Sequence, residues 1–248
     1  MNKIKSFVFS YFFVVLFLLV SRVSFSQDSL SPKAIIHLGY GAQWPISSPL
    51  SKRYGQHGSI SLCIDLIKHK WETGPSIHFI FGSNVKEDVL ALLRGDDGEL
   101  IGSDHQIAEV NLKMRGLFIG WSIAREIKIN PRSMLVIGVQ PGWLAHWIKF
   151  QNPGNTFEPI QGDYRYGYDR LSTGLAMMET FTYRYQSSNR LINFELSAMM
   201  TESTSHLKRN IQFDQPTISS TISSNLFGIQ VKWLIPIYSA KNAEHIFY

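Results

Sequence analysis

Eight histidines are the first residues in this chain that could do chemistry: His37, His57, His69, His78, His105, His146, His206 and His245. None stands in a spacing such as HExxH, which would set two imidazoles on one helical face around a metal. The serines lack a GxSxG elbow, so no nucleophile is raised on a strand-to-helix turn. Cys63 is the single cysteine. It has no cysteine partner for a disulfide or a thiolate metal site and reads as a small structural side chain. No catalytic residue, metal or cofactor is therefore expected.

Two other groups of polar residues stand out. Tyr164, Tyr166, Tyr168, Asp169 and Arg170 make an aromatic and charged cluster of the kind found at recognition surfaces, and are the candidate binding residues. Packing between loops accounts for the same cluster equally well. Asp65, Glu72, Glu109, Lys113, Arg115, Arg184, Glu195 and Lys232 fall mostly on the polar side of alternating segments. The plain reading of these charges is a network that satisfies itself inside the fold, with proton or ion conduction as the rarer use.

The elements that would position these residues are strands. Hydrophobicity alternates with period two: Ile36, Leu38, Tyr40, Ala42 and Trp44 against His37, Gly39, Gly41 and Gln43. Ile60, Leu62, Ile64 and Leu66 repeat the pattern, and Ile77, Phe79 and Phe81 follow. A fourth segment, about 108–124, carries Val110, Leu112 and Met114, then shifts its apolar residues to Leu117, Ile119, Trp121 and Ile123. That slip predicts a β-bulge near Gly116. Four more segments, 134–150, 174–185, 192–201 and 227–235, bring the expected count to about eight.

Residues 1–26 read differently. Lys3 and Lys5 precede an apolar run over 7–20, and Ser24-Phe25-Ser26 forms a small-x-small cleavage site. This is the pattern of a signal peptide cut after Ser26, leaving 27–248 as one domain. The apolar run spans roughly 21 Å as a helix, short of the ~30 Å hydrocarbon core. The full chain carries a formal charge of +5. Without the leader, 21 basic residues face 19 acidic ones, too small an excess to point to nucleic acid.

Connections after the second, fourth and sixth segments are short, and those after the first, third, fifth and seventh are long. Short turns at one end and long loops at the other characterise an antiparallel up-and-down transmembrane β-barrel. Trp44, Trp71, Trp121, Trp143, Trp147 and Trp233 would supply its interfacial aromatic girdle. A secreted soluble sandwich or lipocalin-like barrel has the same alternation with the faces reversed. Residues 85–94 place Val85, Val89 and Leu92 on one helical face, predicting a short helix in the second long loop. Pro75 and Pro141 fall inside strands and are expected at a bulge or a strand end. Either Tyr238 or Tyr248 would close the last strand.

Several segments resemble a known family. Tyr40-Gly41-Ala42-Gln43-Trp44-Pro45, Arg53-Tyr54-Gly55, Phe81-Gly82-Ser83-Asn84-Val85-Lys86-Glu87 and Gly167-Tyr168-Asp169-Arg170-Leu171 resemble an outer-membrane β-barrel family of Bacteroidota-type bacteria, similar in architecture to the OmpX and OmpA barrels. Its segments carry no assigned chemistry, so the resemblance implies fold and an outer-membrane location and transfers no catalytic residue. The expected role is structural or interactive, as a subunit of a surface or secretion assembly. Expected partners are outer-membrane lipids, lipopolysaccharide and proteins of such a complex, and no nucleic acid. The alternatives are an enzyme acting on lipid A acyl chains, which needs a Ser or His at the outer lipid boundary, and a soluble ligand-binding barrel.

Overall fold

The computed structural model describes residues 33–187, 193–209, 211–214 and 221–238. The expected signal peptide and Tyr248 lie outside these residues. Eight antiparallel strands form a closed barrel in simple up-and-down order. They are β1 (Ala34–Pro45), β2 (His57–Lys68), β3 (Trp71–Gly82), β4 (Asn111–Asn130), β5 (Ser133–Gln151), β6 (Ser172–Gln186), β7 (Asn193–Leu207) and β8 (Thr221–Ile237). Closure comes from β1 pairing with β8, from Ala34 opposite Ile237 to Pro45 opposite Leu226. Every strand thus has two hydrogen-bonded neighbours, which removes the edges that lipid could not solvate.

The two ends differ as the loop lengths predict. His69 and Lys70, both at positive φ, form the tight turn between β2 and β3. Two consecutive left-handed residues match the twist of a two-residue hairpin. At the opposite end lie the long loops L1 (46–56), L2 (83–110) and L3 (152–171), with the described residues 208, 209 and 211–214 of a fourth loop, L4. L1 carries one helical turn, α1 (Leu50–Arg53).

Side-chain direction separates two environments. Leu38, Ile60, Leu62, Ile64, Phe79, Ile119, Phe194, Leu196 and Val231 project outward and are exposed. His37, Ser61, Asp65, Glu72, Gln140, Glu195 and Gln230 project inward and are buried. A water-soluble barrel would reverse this, so the belt of exposed aliphatic and aromatic side chains is a lipid-facing surface and the fold is a transmembrane β-barrel of the outer-membrane type.

The lumen is filled in layers, as an eight-stranded barrel requires. At the short-turn end Arg184, fully buried, lies 2.5 Å from Glu72, 2.6 Å from Glu195 and 2.7 Å from Glu126. Above it, uncharged groups pair: Thr182 with Ser197 at 2.8 Å, Ser76 with Gln140 at 2.9 Å, and Gln230 with Ser61 at 2.8 Å. At the long-loop end the lining turns apolar, with Ile80, Met114, Phe118, Leu144, Ile148 and Met199 packed under Leu50, Val89, Leu90 and Phe157 from the loops.

That apolar layer corrects the reading of the fourth segment. Pairing of β3 with β4 runs without a shift from Trp71 opposite Arg125 to Gly82 opposite Met114, so there is no bulge at Gly116. Met114, Gly116 and Phe118 simply face an apolar part of the lumen, while Lys113 and Arg115 lie on the outward side of β4. Glu109 is exposed and precedes the strand. The phase slip was a change of environment along one face. On the other side of β4, its pairing with β5 shifts register between Lys128 and Asn130.

The prolines are also placed differently from expectation. Pro75 sits opposite Trp121, and Pro141 opposite Met177, both mid-strand and in register. On the side where the proline lacks a donor, pairing skips from Cys63↔Ser76 to Leu66↔Thr73, and from Gly120↔Gly142 to Ile123↔Val139. A glycine adjoins each proline. A Cβ on Gly74 would stand 1.8 Å from the Ile64 carbonyl oxygen, so the neighbouring backbone closes in where a side chain would block it. Of the tryptophans, Trp121 and Trp143 lie mid-strand beside these prolines rather than at an interfacial girdle. Trp121 donates its indole N–H to Thr73 Oγ1 at 2.7 Å, satisfying a polar group on the outer face. In L2 only Ala91–Leu93 is helical, as one 3-10 turn, with Val89 buried and Leu92 73% exposed. The short helix expected over 85–94 is confined to this turn, and Val89 and Leu90 before it plug the mouth.

Removing Arg184 would strand three inward carboxylates. Arg184→Met is expected to destabilise the barrel by about 3–5 kcal/mol. Urea unfolding of the detergent-folded protein, followed by tryptophan fluorescence, measures the loss; an unchanged midpoint would contradict the charged floor's role.

Candidate functional site

The outer loops are joined by one run of alternating charges. Arg53 of L1 donates from Nε to Glu87 of L2 at 2.6 Å, and Arg170 of L3 donates from Nε to the other Glu87 oxygen at 2.8 Å. Arg170 continues to Gln212 at 2.5 Å and, through both guanidinium nitrogens, to Asp214 of L4, with Nη1 at 2.8 Å. Arg170 is fully buried and adopts φ +52°, a left-handed backbone that turns its side chain into the loop interior. Burial opposes ionisation of Glu87, yet the charges and hydrogen bonds of Arg53 and Arg170 hold its carboxyl below the ordinary value.

Beside this network a concave pocket of about 760 Å³ opens at the outer end of β5. Trp147, Lys149 and Phe150 of β5 line one side, and Arg165, Tyr166, Asp169 and Arg209 line the other. Arg209 grips Asp169 with Nη2 at 2.6 Å and Nε at 3.1 Å, and its guanidinium lies 4.2 Å over the Tyr166 ring. Arg165 adds a second guanidinium 5.0 Å from the same ring and donates to Tyr166 Oη at 3.1 Å. The Asp169 carbonyl accepts from Ile148 N at 2.7 Å, anchoring L3 to β5. Three cations, one carboxylate already paired, and three aromatic side chains give the pocket a positive, aromatic character.

Of the five candidate binding residues, the structure brings Tyr166 and Asp169 into this pocket. Tyr164 is exposed elsewhere on the loop. Tyr168 is buried against Phe213, ring centroids 5.3 Å apart, and Arg170 is spent on holding loops together. Sequence reasoning missed Lys149, Arg165 and Arg209. Arg165 was flanked by the tyrosines that were noticed; Arg209 comes from another loop, and its pairing with Asp169 has no signal in the sequence. Within the lumen, Ser122 Oγ donates to Asp65 Oδ2 at 3.4 Å and His37 Nε2 stands 3.4 Å from the same oxygen, so serine and histidine both meet the carboxylate and the order of a Ser-His-Asp relay is not met.

No protein-family model matches the chain, and no curated protein matches it. Solved structures similar to it are small outer-membrane barrels. The attachment invasion locus protein Ail of Yersinia pestis is 9% identical with a TM-score of 0.41, covering 83% of this chain and 99% of its own. Neisserial surface protein A is 10% identical at 0.43, with the same coverage of 83% and 99%. The N-terminal barrel domain of Pseudomonas aeruginosa OprF is 10% identical at 0.38, covering 84% and 100%. At such scores these likenesses carry no argument about function, and the fold rests on the strand pairing itself.

Because the Glu87 carboxyl is held below its unfolded value, its contribution to the loops is complete above the ordinary carboxylate pKa near 4.3 and is lost as pH falls through the depressed value. Amide hydrogen exchange over residues 84–90, corrected for intrinsic rates, should accelerate in that acid range. Glu87→Gln should show the loosened pattern already at pH 7, and full protection in that variant would mean the ion pairs hold nothing.

Proposed function

We propose that this chain is exported through its signal peptide, cleaved after Ser26, and spans the outer membrane of a Gram-negative cell as a surface interaction protein of the Bacteroidota-type family it resembles. The exterior belt supports the membrane setting: its apolar residues have no protein partner, whereas the lumen spends its polarity internally. The pocket beside β5 carries the reading of function. Trp147 and Lys149 project from the outward side of β5 just where the strand leaves the apolar belt, and L3 overhangs them with Arg165 and Tyr166. Cations and exposed rings at headgroup height fit the phosphorylated sugars of an outer-leaflet glycolipid, that is, the inner saccharides of lipopolysaccharide. Membership of a larger surface or secretion assembly would use the exposed loop tops, where Tyr164 and Leu92 stand free.

The test is direct. Detergent-folded barrel should bind purified rough lipopolysaccharide, and dephosphorylated lipopolysaccharide should bind more weakly. Lys149→Ala combined with Arg165→Ala removes two pocket cations and leaves the Arg170 network intact, and should lower affinity about tenfold, equivalent to ~1.4 kcal/mol. Equal binding by wild type and variant, or indifference to the phosphates, would move the ligand site elsewhere. N-terminal sequencing of the membrane-inserted protein should begin at Gln27.

A further inference from the structure

Inside the charged floor, three side chains of metal-ligating type converge from adjacent strands: His37 of β1, Asp65 of β2 and Glu72 of β3. A ligand atom of each lies within 4.8 Å of the other two, and all three residues are buried. Two of the atoms are not otherwise used. His37 Nε2 stands 3.4 Å from Asp65 Oδ2, where it makes no hydrogen bond, and Asp65 Oδ1 is sealed from water without an accepted hydrogen bond. The Cys63 thiol, a weak donor, stands beside the same carboxyl. A cavity of about 20 Å³ lies among these groups, room for one occupant the size of a water.

Charge and geometry say what that occupant is. Around this cavity the carboxyl groups Asp65, Glu72, Glu126 and Glu195 outnumber the cations Arg184 and Lys232. Buried carboxyls need a compensating partner, and a divalent cation supplies one. The 3.4 Å between His37 Nε2 and Asp65 Oδ2 equals the ligand-to-ligand edge, roughly 3.4 Å, of a tetrahedral centre with bonds of about 2.1 Å. On its far side His37 Nδ1 faces Glu195 Oε2 at 3.3 Å, and Arg184 and Lys232 fix that carboxylate in turn. A carboxylate behind the imidazole sets its tautomer and turns the other nitrogen toward a metal. Glu72 makes two bonds to Arg184 and retains lone pairs for a third partner.

We propose that His37, Asp65 and Glu72 hold a divalent transition-metal ion of zinc type inside the barrel, with Glu195 orienting the histidine. One imidazole nitrogen and two carboxylate oxygens, with a fourth position for water, form a donor set suited to zinc and its neighbours rather than to calcium. The site is independent of the outer pocket, and a different probe tests it. Folded barrel is stripped with EDTA, dialysed and titrated with ZnCl2 by calorimetry, with bound metal counted by mass spectrometry. One zinc per chain is expected, with affinity at least tenfold lower in His37→Gln and in Asp65→Asn and unchanged in His69→Gln on the exposed turn. Absence of stoichiometric uptake, uptake that survives both lumen substitutions, or uptake abolished by His69→Gln overturns the proposal. If neither lumen variant folds, the wild type decides: intense visible absorption of bound Co2+ supports a four-coordinate site, and its absence refutes it.

Discussion

Every strand of this barrel must offer an apolar side to acyl chains and send its other side into a lumen that bulk water does not fill. That single demand inverts the arrangement of a soluble protein. The greasy residues Leu38, Leu62, Phe79, Leu196 and Val231 contribute nothing to an internal core, and the polar residues have to satisfy one another. A buried carboxylate without a partner would cost more than one surface ion pair returns. The interior is therefore arranged in tiers: guanidinium with carboxylates, hydroxyl with amide, and finally aliphatic with aromatic.

The aliphatic tier is what the loops require. L1, L2 and L3 are fixed by sinking Leu50, Val89, Leu90 and Phe157 onto Ile80, Phe118 and Leu144 at the mouth. The charge relay from Arg53 to Asp214 then ties the same loops laterally. Apolar contact supplies the energy and the ion pairs set the register. The pocket beside β5 inherits its shape from both, because Asp169 and Arg170 are consecutive residues facing opposite ways, one toward the pocket and one into the relay.

Much of this was legible in the chain because strand alternation is local. The inward and outward assignments of β1, β2, β7 and β8 follow from period two alone, and so do the short and long ends. The misreading of β4 has one cause, the assumption that inward means polar along a whole strand. Met114 and Phe118 broke that rule, which made a straight strand look bulged and turned Lys113 and Arg115 inward on paper. The loop cluster fared less well, since which of Tyr164, Tyr166 and Tyr168 is free depends on Phe213 and Arg209, distant in sequence. The grouping of His37, Asp65 and Glu72 is likewise invisible as a motif, arising only when three neighbouring strands take their register.

The seam between β1 and β8 has a consequence for biogenesis. Ala34 meets Ile237, so the first and last strands are joined across the whole run of the barrel. No nascent or C-terminally truncated polypeptide holds both sides of that seam, and until the final strand arrives the sheet keeps two raw borders. Contacts so distant form slowly compared with hairpins. Closure is therefore one late event, which makes the final strand decisive for whether the ring forms at all.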